Sequence, residues 1–219
     1  MTIAAFFDMD RTLLSDSSSI LMIRYLRDRG EISARELLRL LSVLLRYRVG
    51  LLDIPTLTRQ LVAGMAGQRE ADRIAFSQRW FEEQLVNYVA ARGREFLEQH
   101  RRAGHRLALI TASPSYTADP LAAYLQICPE DVLATRFEVR EGHFTGRVVE
   151  PMCFREGKLY WAQRYAAAHG IDLSASYFYT DSIDDLPLLE AVGYPVAVNP
   201  DKALRQLALR RGWPIVQFY

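Results

Sequence analysis

The sequence predicts an α/β protein: a doubly wound parallel sheet with a helical cap inserted after its first strand. Short apolar runs typical of buried strands alternate with segments of helical period over most of the chain. Such alternation favours parallel strands with helices on both faces of the sheet. The exception lies between the first two strands, where about ninety residues have an almost entirely helical pattern. That stretch predicts an insertion over the mouth of the sheet.

The predicted strands are short and apolar, and polar loops follow them. They lie at residues 3–7, 106–110, 177–179, 194–198 and 215–218. The segment "FEVREGHFTGRVVE" at residues 137–150 indicates a β-hairpin that turns at Glu141–Gly142. The sequence therefore predicts a main sheet and one hairpin.

Start and stop residues mark the helices that connect these strands. Ser113 is the expected N-cap of the helix after the second strand, and Pro114 is its expected first residue. The helix in "EGKLYWAQRYAAAHG" ends at Gly170, which is typical of a C-terminal cap. A later helix is expected to begin at Asn199–Pro200 and to stop at Gly212.

The region between the first two strands predicts a domain of its own. "SARE" at residues 33–36 has the pattern of a capping box, which marks the start of a helix. The run after it, "LLRLLSVLLRYRVGLL", has a broad apolar face, and residues 69–100 continue in helical period. We therefore expect a helical cap domain at residues 15–92 and a core domain at residues 1–14 and 93–219.

Composition disfavours several classes of protein. The 219 residues carry a formal net charge of +1, so a dominant nucleic-acid surface is not expected. No apolar stretch approaches the ~20 residues needed to span a bilayer. Cys128 and Cys153 are the only cysteines, and without a secretory signal they favour a reduced, cytoplasmic protein. A nicotinamide-dependent dehydrogenase and a P-loop kinase are disfavoured because their glycine-rich motifs are missing.

Polar side chains follow three of the predicted strands. Ligands of a doubly wound sheet bind beyond the carboxyl ends of the strands, so these side chains are expected at one rim. Carboxylates follow the first and third of the strands, hydroxyls follow the second, and a lysine opens the helix before the third. The residues are Asp8, Asp10, Thr12, Thr111, Ser113, Lys158, Asp181, Asp184 and Asp185.

This set has the donors of a phosphoryl-transfer site. Several carboxylates at one rim repel each other unless a cation lies among them, and Mg²⁺ prefers oxygen ligands. Thr111 offers a hydroxyl donor and Lys158 a positive charge for a phosphoryl group. Lys158 is also one of only two lysines among 27 basic residues. An aspartate in this setting can act as a nucleophile, and a second one two residues later as general acid and base.

Four motifs together resemble a known family. "DMDRT", "LITAS", the lysine in "EGKLYW" and "DSIDDLPLL" resemble, in the right order, the four motifs of the haloacid dehalogenase (HAD) superfamily. The inserted helices resemble subfamily IB, the branch that includes phosphoserine phosphatase. The resemblance covers nearly the whole chain. It implies a Rossmann-like core, a cap and Mg²⁺-dependent hydrolysis of a phosphomonoester through an aspartyl-phosphate.

The resemblance also implies roles at the first two strand ends. Asp8 matches the nucleophile, which is also a metal ligand. Asp10 matches the general acid and base, and its backbone carbonyl matches a second metal ligand. Thr12 is expected to steady this loop. Thr111 matches the hydroxyl that binds phosphate, and Ser113 is expected to have a secondary role there as well as capping the helix.

Further roles are implied at the remaining motifs. Lys158 matches the lysine that holds the nucleophile and the phosphate together. Asp181 matches an acidic metal ligand, and Asp185 a carboxylate that supports the metal through water or neighbouring groups. Arg59 in the cap resembles an arginine that binds substrate, although a surface salt bridge is the plainer interpretation.

Two positions depart from the pattern of phosphoserine phosphatases. Ser17, which follows Asp16, stands where those enzymes commonly have a glutamate for the substrate ammonium. Asp184 stands where they have asparagine. Its extra charge should repel phosphate unless it meets water, the metal or a cationic group of the substrate. A charge placed at a helix N-terminus is an equally simple interpretation of Asp184.

The expected partner is a small phosphorylated metabolite such as phosphoserine or histidinol phosphate. A lipid phosphate such as phosphatidylglycerophosphate is an alternative, because the apolar run after residue 34 carries a set of arginines that suits a membrane surface. They are Arg35, Arg39, Arg46 and Arg48. A buried cap helix is the plainer interpretation of that run. A nonenzymatic phosphometabolite-binding protein is disfavoured, since no catalytic aspartate is missing.

Overall fold

Six parallel strands form the central sheet of the computed structural model, which describes residues 2–33, 35, 38, 42 and 53–219. They are β1 (Ala4–Phe7), β2 (Arg106–Pro114), β3 (Val132–Thr135), β6 (Tyr177–Thr180), β7 (Tyr194–Val198) and β8 (Ile215–Val216). Their order across the sheet is β3-β2-β1-β6-β7-β8. The two central strands are in register, with Phe6 opposite Phe178. The predicted parallel sheet is confirmed.

Eight α-helices are described. They are α1 (Ser18–Asp28), α2 (Ile54–Ala63), α3 (Glu70–Glu83), α4 (Ala91–Arg102), α5 (Ser115–Tyr124), α6 (Glu156–His169), α7 (Leu186–Ala191) and α8 (Lys202–Arg211). Single helical turns lie at Leu85–Tyr88, Pro129–Asp131, Leu173–Ala175 and Ile183–Asp185. The loop Met9–Leu13 that follows β1 is not helical, because Asp10 is extended and Arg11 has a positive φ of 53°. No helix in the described part of the chain is long and apolar enough to cross a membrane.

Helices cover both faces of the sheet, as its apolar strands require. All four residues of β1 are buried, and successive side chains point to opposite faces. Phe7 packs in a cluster with residues of α1, α3, α4 and α5. Phe6 packs in a second cluster with residues of α6, α7 and α8. Burial on both faces explains why these strands have continuous apolar sequences.

Two predicted helix starts are wrong. β2 continues to Pro114, so α5 begins at Ser115, with Pro114 as its N-cap. Ser113 therefore lies in the strand. The last helix, α8, begins at Lys202 rather than at Asn199–Pro200, because the Asp201 carboxylate accepts a hydrogen bond from the backbone of its first turn. β3 was not predicted at all.

The predicted helix ends and the hairpin are confirmed. Gly170 and Gly212 both adopt left-handed backbone conformations after their helices, with φ of 62° and 67°. The hairpin consists of β4 (Phe137–Arg140) and β5 (His143–Val148). Glu141 and Gly142 both have positive φ, which the tight turn between antiparallel strands requires.

The helices inserted between β1 and β2 pack against the core and the hairpin. Trp80 of α3 is buried in the cluster that contains Phe7. Val62 of α2 packs with Phe144 of the hairpin. Gly146 allows this approach, since a Cβ there would lie 3.1 Å from Ala66. The predicted capping box at 33–36 and the basic apolar run that follows it lie outside the described residues, apart from single positions.

Candidate active site

The candidate site lies where the strand order reverses. From β1, the chain builds β2 and β3 on one side of the sheet and β6, β7 and β8 on the other. Such a switch point opens a crevice beyond the carboxyl ends of the strands. Asp8 follows β1 and Asp181 follows β6, and the backbone N–H of Asp8 donates to the carbonyl of Tyr179 at 2.9 Å. The sheet therefore brings the two aspartates to one rim.

Lys158 is the centre of a buried ion-pair group. Its Nζ donates to Asp8 Oδ1 at 2.6 Å and to Asp185 Oδ2 at 2.7 Å. Asp185 Oδ2 also accepts a 2.5 Å hydrogen bond from Thr180 at the end of β6. The lysine is only 3% exposed. Gly157 lets the start of α6 lie close to the backbone of Met152, because a Cβ at residue 157 would overlap the Met152 carbonyl.

The charges of this group are strongly coupled. Burial raises the pKa of Asp8, and the neighbouring Lys158 opposes that effect. Burial alone would lower the pKa of Lys158, but Asp185 and Asp8 outweigh it and raise the pKa. Two carboxylates share one ammonium, so the group has an excess of negative charge. A further cation at this point would be stabilised.

Asp181 has the environment of a metal ligand. Burial raises its pKa to about 7, although Lys158 opposes this effect. In the part of the chain that the structure describes, no hydrogen bond or ion pair reaches its carboxylate. A desolvated carboxylate without a partner is costly, and a cation offsets that cost. The residues present therefore fit a hard divalent ion.

The side chains available to such an ion are few. No three His, Cys, Asp or Glu side chains among the described residues form a group that holds a metal. Asp8 and Asp185 each bind Lys158 through one oxygen and keep the other without a hydrogen bond among the described residues. Asp181 keeps both oxygens without one, whereas both oxygens of Asp10 accept bonds from serines. Mg²⁺ typically takes only one or two carboxylates and completes its shell with waters and a phosphate. The small number of ligands suits that ion.

The Asp10 carboxylate is held by two serines. Ser18 donates to it through the backbone N–H at 2.6 Å and through Oγ at 3.1 Å. Ser113 donates through Oγ at 2.8 Å. Burial raises the pKa of Asp10, and the bond from the Ser18 backbone opposes that effect. Ser113 thus contacts the general acid and base expected from the sequence instead of capping a helix.

The predicted threonines have different surroundings. Thr111 is buried, and its Oγ1 accepts a 3.1 Å hydrogen bond from the Ser113 backbone. Thr12 is also buried, but its Oγ1 has no hydrogen-bond partner among the described residues. The loop that contains Thr12 is closed by backbone bonds, including Leu14 N–H to the Met9 carbonyl at 2.8 Å. The hydroxyl of Thr12 does not contribute to that closure.

The extra charge of Asp184 has a partner in the chain. Arg155 donates to Asp184 Oδ1 through Nε at 2.9 Å and through Nη2 at 2.7 Å. The sequence left this partner open between water, the metal and the substrate. Arg155 has a positive φ of 50°, which is uncommon for a residue other than glycine, just before α6. Its guanidinium neutralises the carboxylate at the rim.

Arg59 and Asp16 both form surface ion pairs. Arg59 Nε donates to Glu150 Oε1 at 2.9 Å, and both side chains are about half exposed. This pair joins α2 to the loop that leads to Lys158. Asp16 accepts from Arg24 at 3.2 Å. For Arg59, the structure therefore agrees with the plainer interpretation, a surface salt bridge.

Sequence reasoning missed three contributors to the site: Ser18, Thr180 and Arg155. Each acts through a partner that the fold brings close, at a separation of 8, 5 and 29 residues respectively. Thr180 could have been found, because it directly precedes the fourth motif. No local signal marks Ser18 or Arg155.

Comparison with known proteins agrees with this geometry. Residues 5–190 match the family model of the haloacid dehalogenase-like hydrolases. A Mycobacterium tuberculosis protein named phosphoserine phosphatase SerB1 is 33% identical over all of this chain and 71% of its own. A Neisseria meningitidis protein named histidinol-phosphatase is 29% identical over 98% of both chains. A crystal structure of a Bordetella pertussis protein of unknown function superposes over both full chains with a TM-score of 0.89 and 30% identity.

The doubly wound fold, the aspartates at its strand ends and the family model together define the class of protein. The chain belongs to the haloacid dehalogenase-like hydrolases, and it is a phosphatase of that family.

Proposed function

We propose that this chain is a Mg²⁺-dependent phosphomonoester hydrolase that acts through an aspartyl-phosphate on a small phosphorylated amino acid or amino alcohol. One observation carries the proposal. Asp8 is held by the buried Lys158 beside the unpaired carboxylate of Asp181, while a separate carboxylate, Asp10, is held by two serines. A nucleophile, a cation site and a proton carrier thus lie at one rim.

In the first step, a carboxylate oxygen of Asp8 attacks phosphorus. A bond forms between Asp8 and phosphorus, and the bond from phosphorus to the ester oxygen breaks. Asp10 gives its proton to the leaving oxygen, a role favoured by the burial that raises its pKa. Lys158 and the Thr111 hydroxyl hold the remaining phosphoryl oxygens.

In the second step, Asp10 takes a proton from water, and the water oxygen attacks phosphorus. The bond between Asp8 and phosphorus breaks, inorganic phosphate leaves, and Asp8 is ready again. Asp10 is well suited to both steps because Ser18 and Ser113 hold its carboxylate in one place. The same residue therefore acts first as acid and then as base.

The groups that would hold Mg²⁺ are Asp8, the backbone carbonyl of Asp10 and Asp181. The ion supplies positive charge to the phosphoryl oxygens as negative charge builds up on them. Asp185 has a supporting role in this scheme, since it fixes Lys158. We assign the cap to residues 15–92 and the core to residues 1–14 and 93–219, with the cap excluding bulk water during the first step.

The first test is Mg²⁺-dependent release of p-nitrophenol from p-nitrophenyl phosphate by the wild type and Asp8→Asn. We expect metal-dependent turnover in the wild type and a loss of roughly 10⁴-fold or more in the variant, since the nucleophile is gone. Asp28→Asn, at the exposed end of α1, is the matched control and should keep full activity. Equal activity of Asp8→Asn and the wild type would overturn the proposal.

A further inference from the structure

Tyr219 contacts the loop that follows β1 and carries Asp10. The Tyr219 hydroxyl donates to the backbone carbonyl of Arg11 at 3.2 Å. Arg11 directly follows Asp10, whose own carbonyl is one of the proposed Mg²⁺ ligands, and it has a positive φ of 53°. This backbone conformation is uncommon for a residue other than glycine, so it depends on contacts that hold it. The hydroxyl of Tyr219 is one such contact.

Phe218 fixes the backbone that carries Tyr219. Its ring is buried, and its centroid lies 5.0 Å from that of Phe96 on α4. A Cβ placed on Gly93 would lie 3.1 Å from the side chain of Leu13 and 3.2 Å from the ring of Phe218. Both side chains therefore occupy the space that Gly93 leaves open. Phe218 thus packs against the core beside the same loop that Tyr219 contacts.

Asn199, which follows β7, holds this segment through its side chain. Its Oδ1 accepts a hydrogen bond from the backbone N–H of Phe218 at 2.9 Å, and its Nδ2 donates to the carbonyl of Tyr219 at 3.2 Å. The backbone N–H of Asn199 also donates to the carbonyl of Val216 at 2.9 Å. The half-exposed ring of Tyr219 is therefore attached to a backbone that is fixed at several points.

The loop after β7, residues 199–201, also holds the loop that carries Asp181. The backbone N–H of Asp201 donates to the Asp181 carbonyl at 2.8 Å. The Asp201 carboxylate accepts a hydrogen bond from the backbone N–H of Ile183 at 3.0 Å. One segment therefore supports both loops that supply the proposed Mg²⁺ ligands. It contacts the loop after β6 directly and the loop after β1 through Tyr219.

The charges around the Tyr219 hydroxyl agree with this placement. Burial raises the pKa of Tyr219, and the neighbouring Asp181 adds to the shift, whereas Arg11 opposes it. The hydroxyl therefore keeps its proton at neutral pH. Because a carbonyl oxygen can only accept, this proton is what joins Tyr219 to the Arg11 carbonyl.

We propose that Tyr219 is a positioning residue for the Mg²⁺ site, which holds the Arg11 peptide and thereby the neighbouring Asp10 carbonyl, with Asn199 as its support. This inference rests on the proposed Mg²⁺-dependent function. Tyr219 takes no part in bond making or proton transfer in this scheme. Its loss should therefore weaken the binding of Mg²⁺ and leave kcat at saturating Mg²⁺ nearly unchanged.

The test compares Tyr219→Phe, which removes only the hydroxyl, with Tyr194→Phe. Both tyrosines are 52% exposed, but Tyr194 begins β7 and so lies at the opposite edge of the sheet from the site. Thermal unfolding over a range of Mg²⁺ concentrations gives the apparent Kd of the ion without substrate. Hydrolysis of p-nitrophenyl phosphate gives the Mg²⁺ concentration for half-maximal rate, kcat and KM.

Tyr219→Phe should raise both Mg²⁺ constants by about 2- to 10-fold, the range expected for the loss of one hydrogen bond. Its kcat at saturating Mg²⁺ and its KM for p-nitrophenyl phosphate should hardly change. Tyr194→Phe should match the wild type in all four quantities. A general loosening of the fold would not produce this separation of Mg²⁺ binding from kcat.

Asn199→Gly tests the support for Tyr219. Asn199 has a positive φ of 43°, which glycine adopts freely, so this change removes the side-chain bonds without straining the backbone. It should also weaken Mg²⁺ binding, and the double variant with Tyr219→Phe should bind the ion about as tightly as the weaker single variant. Effects that simply multiply in the double variant would show that the two residues act independently, and Asn199 would not be the support.

The remaining outcomes separate this inference from the proposed function. If Mg²⁺ stabilises the wild type and Tyr219→Phe with the same Kd, or if Tyr194→Phe weakens Mg²⁺ binding equally, the positioning role is wrong. A lower kcat with an unchanged Kd would also contradict it. If the wild type neither binds Mg²⁺ nor hydrolyses p-nitrophenyl phosphate, the proposed function itself fails.

Discussion

Lys158 is a buried cation and Arg73 a partly buried one, and their surroundings differ. Lys158 contacts two carboxylates of the chain, and all three groups are buried. Arg73 is partly buried, and its Nε has no hydrogen-bond partner in the part of the chain that the structure describes. The first cation lies at the candidate site of the core, and the second lies on the helices inserted between β1 and β2. The chain itself balances the first charge, whereas the described residues provide no hydrogen-bond acceptor for Nε of the second.

Removing the paired cation should have the largest effect. Lys158→Met leaves Asp8 and Asp185 buried without their counter-charge, so we expect a loss of about 3–5 kcal/mol in the free energy of unfolding. Activity should fall by at least 10²–10³-fold, since a charge that stabilises the transition state is lost. Urea unfolding and p-nitrophenyl phosphate assays measure the two effects. Arg73→Met is the matched contrast and should not reduce stability, because no partner is left behind. Equal losses of unfolding free energy in Lys158→Met and Arg73→Met would contradict the contrast between the two cations.

The next largest effect, on Mg²⁺ binding, is expected at Asp181, whose carboxylate has no partner among the described residues. Asp181→Asn should weaken Mg²⁺ binding by more than about 100-fold, the upper range for residues that only support a metal ligand. Without metal, the variant should be more stable than the wild type, since it no longer buries an unpaired charge above the pKa of about 7. Thermal unfolding with and without Mg²⁺ shows both changes. Unaltered Mg²⁺ stabilisation in Asp181→Asn would exclude this residue as a ligand.

A smaller effect, on the pH dependence of stability, is expected away from the candidate site, at His100. His100 is buried, its Nε2 lies 2.8 Å from the Tyr179 hydroxyl, and its Nδ1 lies 2.8 Å from Nδ1 of His105. Burial lowers the pKa of His100 to about 4, and repulsion from His105 adds to the shift. The unfolded state, with a pKa of about 6.5, therefore binds the proton first as pH falls. The contribution of neutral His100 to the free energy of unfolding is therefore complete above pH 6.5 and is lost as the pH falls toward 4.

The corresponding measurement compares urea unfolding of wild type and His100→Gln at pH 7 and pH 5. From pH 7 to pH 5, the free energy of unfolding of the wild type should fall by about 2 kcal/mol more than that of the variant. This is the difference expected by linkage from the two pKa values. His143→Gln, at the exposed hairpin turn, should behave as the wild type does. Parallel pH profiles for wild type and His100→Gln would show that His100 is not the titrating group.

The sequence predicted the part of the site that depends on strand ends. Asp8 and Asp181 follow strands with clear apolar patterns, and parallel strands bring their ends to one edge. Thr111 follows the apolar run of the second strand but lies within β2 itself. The hairpin and the helix ends were also predicted, because glycine conformation is local. These features need only short-range rules. The fold class was predictable for the same reason.

Features set by packing could not be predicted. Ser113 looked like a helix cap, yet β2 extends past it and turns its hydroxyl to Asp10. The pairing of Arg155 with Asp184 spans 29 residues and has no sequence signal. The partial burial of Arg73 depends on how the inserted helices lie against the core. Each of these features joins segments that are distant in sequence.

The central claim is that Asp8 itself carries the phosphoryl group. The most direct test is to quench the enzyme in acid during turnover of p-nitrophenyl phosphate with Mg²⁺ and to treat it with borohydride. This reagent reduces an acyl phosphate of aspartate to homoserine. Peptide sequencing by mass spectrometry should then find homoserine at position 8 and unchanged aspartate at position 10. Homoserine at position 10, or none at either position during active turnover, would contradict the account.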